Sequence, residues 1–260
     1  MPEPFEIACA AVREAGAILL EHFGGDFEVT EKSPGDPVTT ADLAADRCLK
    51  QRLLTAFPDY GWLSEETADN PARLTCDRVW IVDPLDGTRE FVRGIPEFAV
   101  SVGLTEAGRP ILGIVFNPVS GEFFAGYGKI ALLNGQPLRC SSLRDLRRAT
   151  IIVSRSEQRD GLWSPGPTPF SQLQSCGSSA YKLALVAAGR ADLTISLRHK
   201  TEWDVCAGDL LLTNAGAMLV TGDGHALRYN QADPRLHPPL LAGPQALVSQ
   251  IIHQTWITPI

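Results

Sequence analysis

From Arg78 the chain runs Val79-Trp80-Ile81-Val82, an apolar stretch of strand length, and then breaks at Asp83-Pro84-Leu85-Asp86-Gly87-Thr88. A strand apolar on both faces belongs in an interior, so these acids stand where a buried element stops. A short turn can aim Asp83 and Asp86 the same way while Pro84 fixes the backbone between them. Gly87 permits close approach of the chain, and Thr88 adds a hydroxyl and a backbone N–H. Two carboxylates side by side with no adjacent base repel each other, and a hard divalent cation with oxygen ligands relieves that repulsion. The alternative is an acidic turn in which each Asp caps its own backbone.

Three further acidic clusters bear on that choice. Asp36-Pro37-Val38-Thr39-Thr40-Ala41-Asp42 places an acid in the first turn of a helix, Ser64-Glu65-Glu66-Thr67 places two in a loop, and Glu202-Trp203-Asp204 opens another helix. Taken singly, Asp42 and Asp204 could merely complement helix dipoles, worth under about 1 kcal/mol each, and Glu65 and Glu66 could be solvated loop acids.

The order of elements predicts alternating layers. Phe5, Ala8, Val12, Ala15, Ile18 and Leu19 recur at helical spacing, and Gly24-Gly25 ends that helix. The polar run from Glu31 to Pro37 reads as a mobile loop. A second helix follows, with Thr40 as N-cap, and stops at Pro58. Strands are expected at Ala99–Leu104, Ile111–Phe116 and Gly121–Gly126, with a tight turn at Asn134-Gly135. In the second half, strands near Thr150–Val153, Asp192–Leu197 and Pro239–Ala242 alternate with helices over Ser178–Ala188, Trp203–Ala215 and about Gln245 to Trp256. The Pro- and Gly-rich segment from Gly161 to Pro169 is the least ordered candidate. Strands and helices in such an order predict an α/β or α+β sandwich.

Length, charge and cysteines narrow the function. A chain of 260 residues fits one large domain or two joined subdomains. A formal charge of −7 excludes a nucleic-acid polymer as partner. It does not exclude phosphate esters if the acid is concentrated at a cation site, because bound cations invert the local sign. No apolar run approaches the roughly 20 residues that span a bilayer. No secretory pattern opens the chain, and the expected location is the cytoplasm. Six scattered cysteines without a C-x-x-C pair read as reduced thiols rather than a disulfide framework or a zinc site.

Together, the segments from Asp36 to Asp42, Ser64 to Glu66, Trp80 to Phe91 and Glu202 to Gly208 resemble the inositol monophosphatase superfamily. That superfamily includes inositol monophosphatases, CysQ-type 3′(2′),5′-bisphosphate nucleotidases and fructose-1,6-bisphosphatases. Asn134 to Pro137 and Gly177-Ser178-Ser179 match its milestones as well, so the resemblance covers nearly the whole chain. It implies a layered αβαβα sandwich, with an N-terminal α+β subdomain of about 1–140 and a C-terminal α/β subdomain of about 141–260.

The resemblance also implies a chemistry. Glu65, Asp83, Asp86, Asp204 and the carbonyl of Leu85 would hold two or three Mg²⁺ ions. Thr88 and Asp42 would orient the attacking water and accept its proton, with Glu65 also taking part. Asp86, the N–H groups of Gly87 and Thr88, and Ser178, Lys200 and Asp204 would meet the substrate. Glu66 is a weaker candidate than Glu65, and none of the five histidines is required. Lithium inhibition and a homodimer are expected by analogy, and a catalytically silent binding protein is the contrasting reading.

Departures from the inositol pattern bear on the substrate. Glu90 stands where inositol phosphatases carry Asn in D-G-T-x-N-F, and with Glu97-Phe98 it resembles the nucleotidases. Leu197 occupies the place of an acid that would meet ring hydroxyls, while Arg198-His199-Lys200 could meet a second phosphate or simply be a solvated basic loop. Val92 to Phe98 and Val100 to Gly103 look more like the inositol branch. The leading expectation is 3′-phosphoadenosine 5′-phosphate, then inositol-1-phosphate. Histidinol phosphate, NADP and sugar bisphosphates such as fructose-1,6-bisphosphate follow.

Overall fold

The computed structural model describes residues 3–33, 35–163 and 169–252. Helices α1 (Glu3–His22) and α2 (Thr40–Ala56) flank a hairpin of β1 (Val29–Ser33) and β2 (Asp36–Thr39). This hairpin replaces the expected loop. Every residue of β1 is exposed, so no alternation of apolar residues marked it as a strand. The cap of α2 is Thr39 rather than Thr40: the Thr39 hydroxyl accepts the Ala41 and Asp42 N–H groups.

A seven-stranded sheet follows, in spatial and chain order β3 (Gly61–Ser64), β4 (Arg78–Asp86), β5 (Ala99–Glu106), β6 (Arg109–Asn117), β7 (Glu122–Tyr127), β8 (Ile130–Leu133) and β9 (Gln136–Pro137). Only β3 and β4 pair in parallel. Asn134 and Gly135, both at positive φ, make the turn between the last two strands, as the sequence predicts. The short helix α3 (Thr88–Val92) leads from β4 toward β5.

The second half contains β10 (Thr150–Ser154), α4 (Arg155–Arg159), β11 (Gln172–Cys176), α5 (Ser179–Ala187), β12 (Leu193–Ser196), β13 (Lys200–Thr201), α6 (Glu202–Ala215), β14 (Met218–Thr221), β15 (Arg235–Leu236), β16 (Leu240–Gly243) and α7 (Gln245–Ile251). Five of these strands form a mixed sheet in the order β11-β10-β12-β16-β14. Positions 253–256 of the predicted last helix and 164–168 of the Pro- and Gly-rich segment lie outside the described residues.

The layering follows from strand alternation. Trp80 and Val82 of β4 face α1 and α2 in one core, while Val79 and Ile81 face α5 and α6 in a second. The five-stranded sheet closes that second core with Ile152, Leu219 and Leu240, and a third core lies between it and α7. The result is an αβαβα sandwich. Helix α6 can lie against the first sheet because glycines face it: a Cβ on Gly113 would stand 2.4 Å from the Ala207 carbonyl oxygen, and one on Gly103 would stand 2.6 Å from Cys206 Sγ. All six cysteines are free thiols. Among the described residues no helix is long and apolar enough to cross a membrane.

Candidate metal centre

The strand β4 does not stop at Asp83, as the sequence suggests, but continues to Asp86 through an irregularity. Asp83 pairs with Ser101 and Asp86 with Ala99, so β4 advances three residues while β5 advances two. The extra residue is a bulge, and it brings both acids to the same side of the strand. The Leu85 N–H donates to Asp83 Oδ1 at 3.0 Å. Gly87 then turns the chain with φ of 103°. A Cβ there would also sit 2.8 Å from the Glu97 carbonyl oxygen, so glycine is required twice over.

The third acid arrives from the other end of the chain. Thr201 and Asp204 form a capping box at the start of α6, with the Thr201 N–H and hydroxyl donating to Asp204 Oδ2 at 2.6 and 2.9 Å. Oxygens of Asp83, Asp86 and Asp204 lie within 4.8 Å of one another. Asp86 is oriented from α5, where the Ser178 hydroxyl and the Ala180 N–H each donate to its Oδ2 at 2.5 Å.

Burial drives the electrostatics. Desolvation, then the charges of Glu65, Asp86 and Asp204, push the Asp83 carboxyl well above its ordinary range. Burial and Asp204 raise Asp86 to about 7, against the lowering effects of Ser178, Lys182 and Ala180. Glu65, just after β3, is raised to about 7 by burial although Lys32 opposes it. Lys32 of the β1–β2 hairpin stands 2.5 Å from Glu65 and 3.0 Å from Glu66. Glu65 and Glu66 therefore share one ammonium.

Beside the acids stands a hydroxyl–carboxylate pair. Thr88 Oγ1 lies 3.0 Å from Asp42 Oδ1 and 3.1 Å from the Leu85 carbonyl oxygen. A hydroxyl has one proton, so the two acceptors compete for it. Asp42 is fully buried, and its Oδ2 accepts the Thr39 N–H and hydroxyl at 2.8 and 2.5 Å. Desolvation raises its pKa despite the donors on Thr39 and Thr88.

A cavity of about 350 Å³ opens over this constellation. Glu65, Asp83, Leu85, Asp86, Gly87, Thr88, Lys200 and Asp204 line it, which brings together most of the residues singled out in the sequence. Asp42 reaches it only through Thr88. Ser178 has a different position from the one expected of a substrate contact: it is fully buried, and Ser179 lines the cavity instead. The cavity also includes His199, an exposed ring 5.0 Å from that of His237. His253 lies outside the described residues.

The model of the inositol monophosphatase family matches residues 2–257. The chain belongs to the inositol monophosphatase family. It is 36% identical over 230 residues to inositol monophosphatase 3 of Solanum lycopersicum, covering 84% of this chain and 86% of that protein. It is 35% identical over 245 residues to the 3′(2′),5′-bisphosphate nucleotidase CysQ of Salmonella typhimurium, covering 90% and 96%. The crystal structure of the extragenic suppressor protein suhB from Bartonella henselae superposes with a TM-score of 0.83 at 28% identity, covering 97% of each chain.

Like other members of this family, the chain is a metal-dependent phosphatase acting on small phosphate esters, and Mg²⁺ is the family's cation. The donor set fits it. Three carboxylates converge, two of them buried and held toward the neutral form by desolvation first and by neighbouring acids second, and a small hard cation with oxygen ligands offsets that unfavourable burial.

Sequence reading missed Asp46 and Lys32, and it took Glu90 and Glu97 as marks of the substrate branch without seeing their supporting contacts. Asp46 lies one helical turn after Asp42 and accepts the Ser64 and Thr67 hydroxyls at 2.5 and 2.6 Å, fixing the chain on either side of Glu65; the i, i+4 spacing was a usable signal. Glu90 and Glu97 support the chain around Gly177: a Cβ on Gly177 would clash with Glu90, and the Glu97 carboxylate accepts the Gly177 N–H at 2.9 Å. Lys32 carried no signal, because an exposed lysine in a polar segment looks like any solvated charge.

Proposed function

We propose that the chain hydrolyses a phosphomonoester bearing a second anionic group, with 3′-phosphoadenosine 5′-phosphate as substrate and AMP and phosphate as products. The observation that carries this reading is the basic rim of the cavity, to which Arg89, His199 and Lys200 contribute. Leu197, where an acid would serve ring hydroxyls, is buried, and its N–H donates to Glu157 at 2.9 Å. Arg198 is drawn away from the rim, pairing with Asp160 at 2.7 Å. The similarity to a bisphosphate nucleotidase supports the same reading. A second reading, hydrolysis of inositol-1-phosphate, is favoured by the similarity to inositol monophosphatases.

Asp83, Asp86, Asp204, Glu65 and the Leu85 carbonyl would hold Mg²⁺, two or three ions in all. Bound there, the cations neutralise phosphate oxygens and acidify water. The chain's own groups do the rest. Thr88 Oγ1 holds the attacking water and takes its proton while passing its own to Asp42 Oδ1, which lies within hydrogen-bond reach. N–H groups of Gly87 and Thr88 receive phosphate oxygens. The water oxygen bonds to phosphorus as the ester P–O bond breaks, and the departing alkoxide takes a proton from solvent.

Two subdomains, about 1–140 and 141–260, would then meet at this site. In support, the seven-stranded sheet ends at Pro137 and the five-stranded sheet begins its strands at Thr150, while the converging acids come from both halves. A phosphate-release assay with Mg²⁺, comparing the adenosine bisphosphate with inositol-1-phosphate, tests the substrate. Turnover of the bisphosphate below a tenth of that for inositol-1-phosphate overturns the first reading in favour of the second.

A further inference from the structure

Helix α5 reads Ser-Ala-Tyr-Lys-Leu-Ala-Leu-Val-Ala, and its one charged side chain, Lys182, is buried at 2% exposure. An unpaired ammonium in an interior is costly, yet Lys182 makes no ion pair among the described residues. Its Nζ donates instead to the carbonyl oxygens of Gly177 and Ser178, at 3.3 and 3.1 Å. The cavity of about 10 Å³ that it lines with Ser179, Thr194 and Ser196 is too small for a substrate, so the lysine is not a ligand-binding group on that side.

The two carbonyls belong to the segment that orients Asp86. The Gly177 N–H donates to the Glu97 carboxylate at 2.9 Å and the Ser178 N–H to the Glu97 carbonyl at 3.3 Å. Lys182 grips the same segment from the opposite polarity, through its oxygens. Clamped at both N–H and C=O, Ser178 has its hydroxyl directed onto Asp86, as is the Ala180 N–H two residues on. Burial lowers the lysine's pKa, with Lys200 acting in the same sense, while Asp86 and Glu157 counter it.

We propose that Lys182 is a positioning residue for the phosphatase reaction, whose buried ammonium holds the Gly177 and Ser178 carbonyls so that Ser178 and Ala180 present Asp86 to the metal. This rests on the reading of Asp86 as a metal ligand. Removing the ammonium frees the cap of α5, and Asp86 loses its fixed orientation without losing its charge.

The test is Mg²⁺ binding followed calorimetrically, with no substrate present, on wild type, K182M, S178A, the double variant and D86N. Expected for K182M is a Mg²⁺ dissociation constant raised about tenfold, with kcat reduced and KM within twofold. S178A should behave alike, and the double variant should be no worse than the poorer single one, because both act through one contact. Mg²⁺ affinity within twofold of wild type in K182M, or losses that multiply in the double variant, would overturn the proposal. If K182M does not melt cooperatively, K182Q, which drops the charge and keeps an N–H donor, takes its place with the same two outcomes. Unchanged Mg²⁺ binding in D86N would instead sink the ligand assignment itself.

Discussion

Two helices in this protein begin in the same way and use the result differently. Thr39 caps α2 at φ −116°, ψ 166°, and Thr201 precedes α6 at φ −115°, ψ 164°; each closes a capping box on an Asp three residues later. In both, one carboxylate oxygen is occupied by the threonine N–H and hydroxyl. The other oxygen differs. That of Asp42 meets the Thr88 hydroxyl in a fully buried setting, whereas Asp204 is half-buried and joins Asp83 and Asp86. A common local motif can thus serve as a rigid mount, and in the function proposed above what the free oxygen faces decides whether it handles a proton or a cation.

The comparison breaks most clearly at the aspartates themselves. Asp204→Asn keeps the shape of the cap and removes a ligand charge, so turnover should fall at least about 10³-fold, corresponding to roughly 4 kcal/mol, together with a loss of Mg²⁺ binding in calorimetry. Asp42→Asn should reduce kcat about 10²-fold, the scale of a missing proton acceptor, while Mg²⁺ binding persists. If the two variants lose metal equally, the division of roles drawn above is wrong.

Metal-free protein offers a smaller, pH-dependent contrast. Asp86 and Glu65 have folded-state pKa values of about 7 against ordinary values of 3.8 and 4.5. Between those limits the folded state binds more protons than the unfolded state, so stability is greatest at the acid end and declines as pH rises through 7. In the presence of a chelator the melting temperature should drop by about 4 °C or more from pH 5 to pH 8, and Mg²⁺ should recover more of it at pH 8 than at pH 5. A flat profile would show that these acids are not held near neutrality.

The caps give the smallest effect. Thr39→Ala should destabilise by about 2 kcal/mol and Thr201→Ala by about 1 kcal/mol, within the range for lost N-caps, because only the first strands a fully buried carboxylate. Urea unfolding without Mg²⁺ measures both, and the reverse ranking would remove burial as the explanation.

Much of this was legible in the amino-acid order, for reasons that also explain what was not. Acids stood out where apolar runs and helical periodicity stopped, so Asp83, Asp86 and Asp204 could be found, and short apolar runs separated by turns predicted β4 to β7. Thr39 and Thr40 are both competent caps, and only the backbone distinguishes them. The hairpin of β1 and β2 buries no face and so has no pattern. Ser178 looked like a substrate contact because its motif names a place in the chain, not a direction of the side chain. Lys32, 33 residues from Glu65, and Ser178, 92 residues from Asp86, meet partners that no local spacing encodes.

The bulge in β4 has a consequence of its own. On a regular strand, Asp83 and Asp86 differ by an odd number of steps and would point to opposite faces. One residue beyond what pairing with β5 requires restores even parity and sets the two acids side by side. The centre is therefore sensitive to counting. Inserting one residue between Leu85 and Asp86, with the single bulge kept, would leave Asp83, Asp86, Gly87 and Thr88 in the chain, yet make the two acids an odd number of ladder steps apart and turn one away from the other. Substitutions test which residues the reaction uses; a change of length at this one place tests whether a site exists at all.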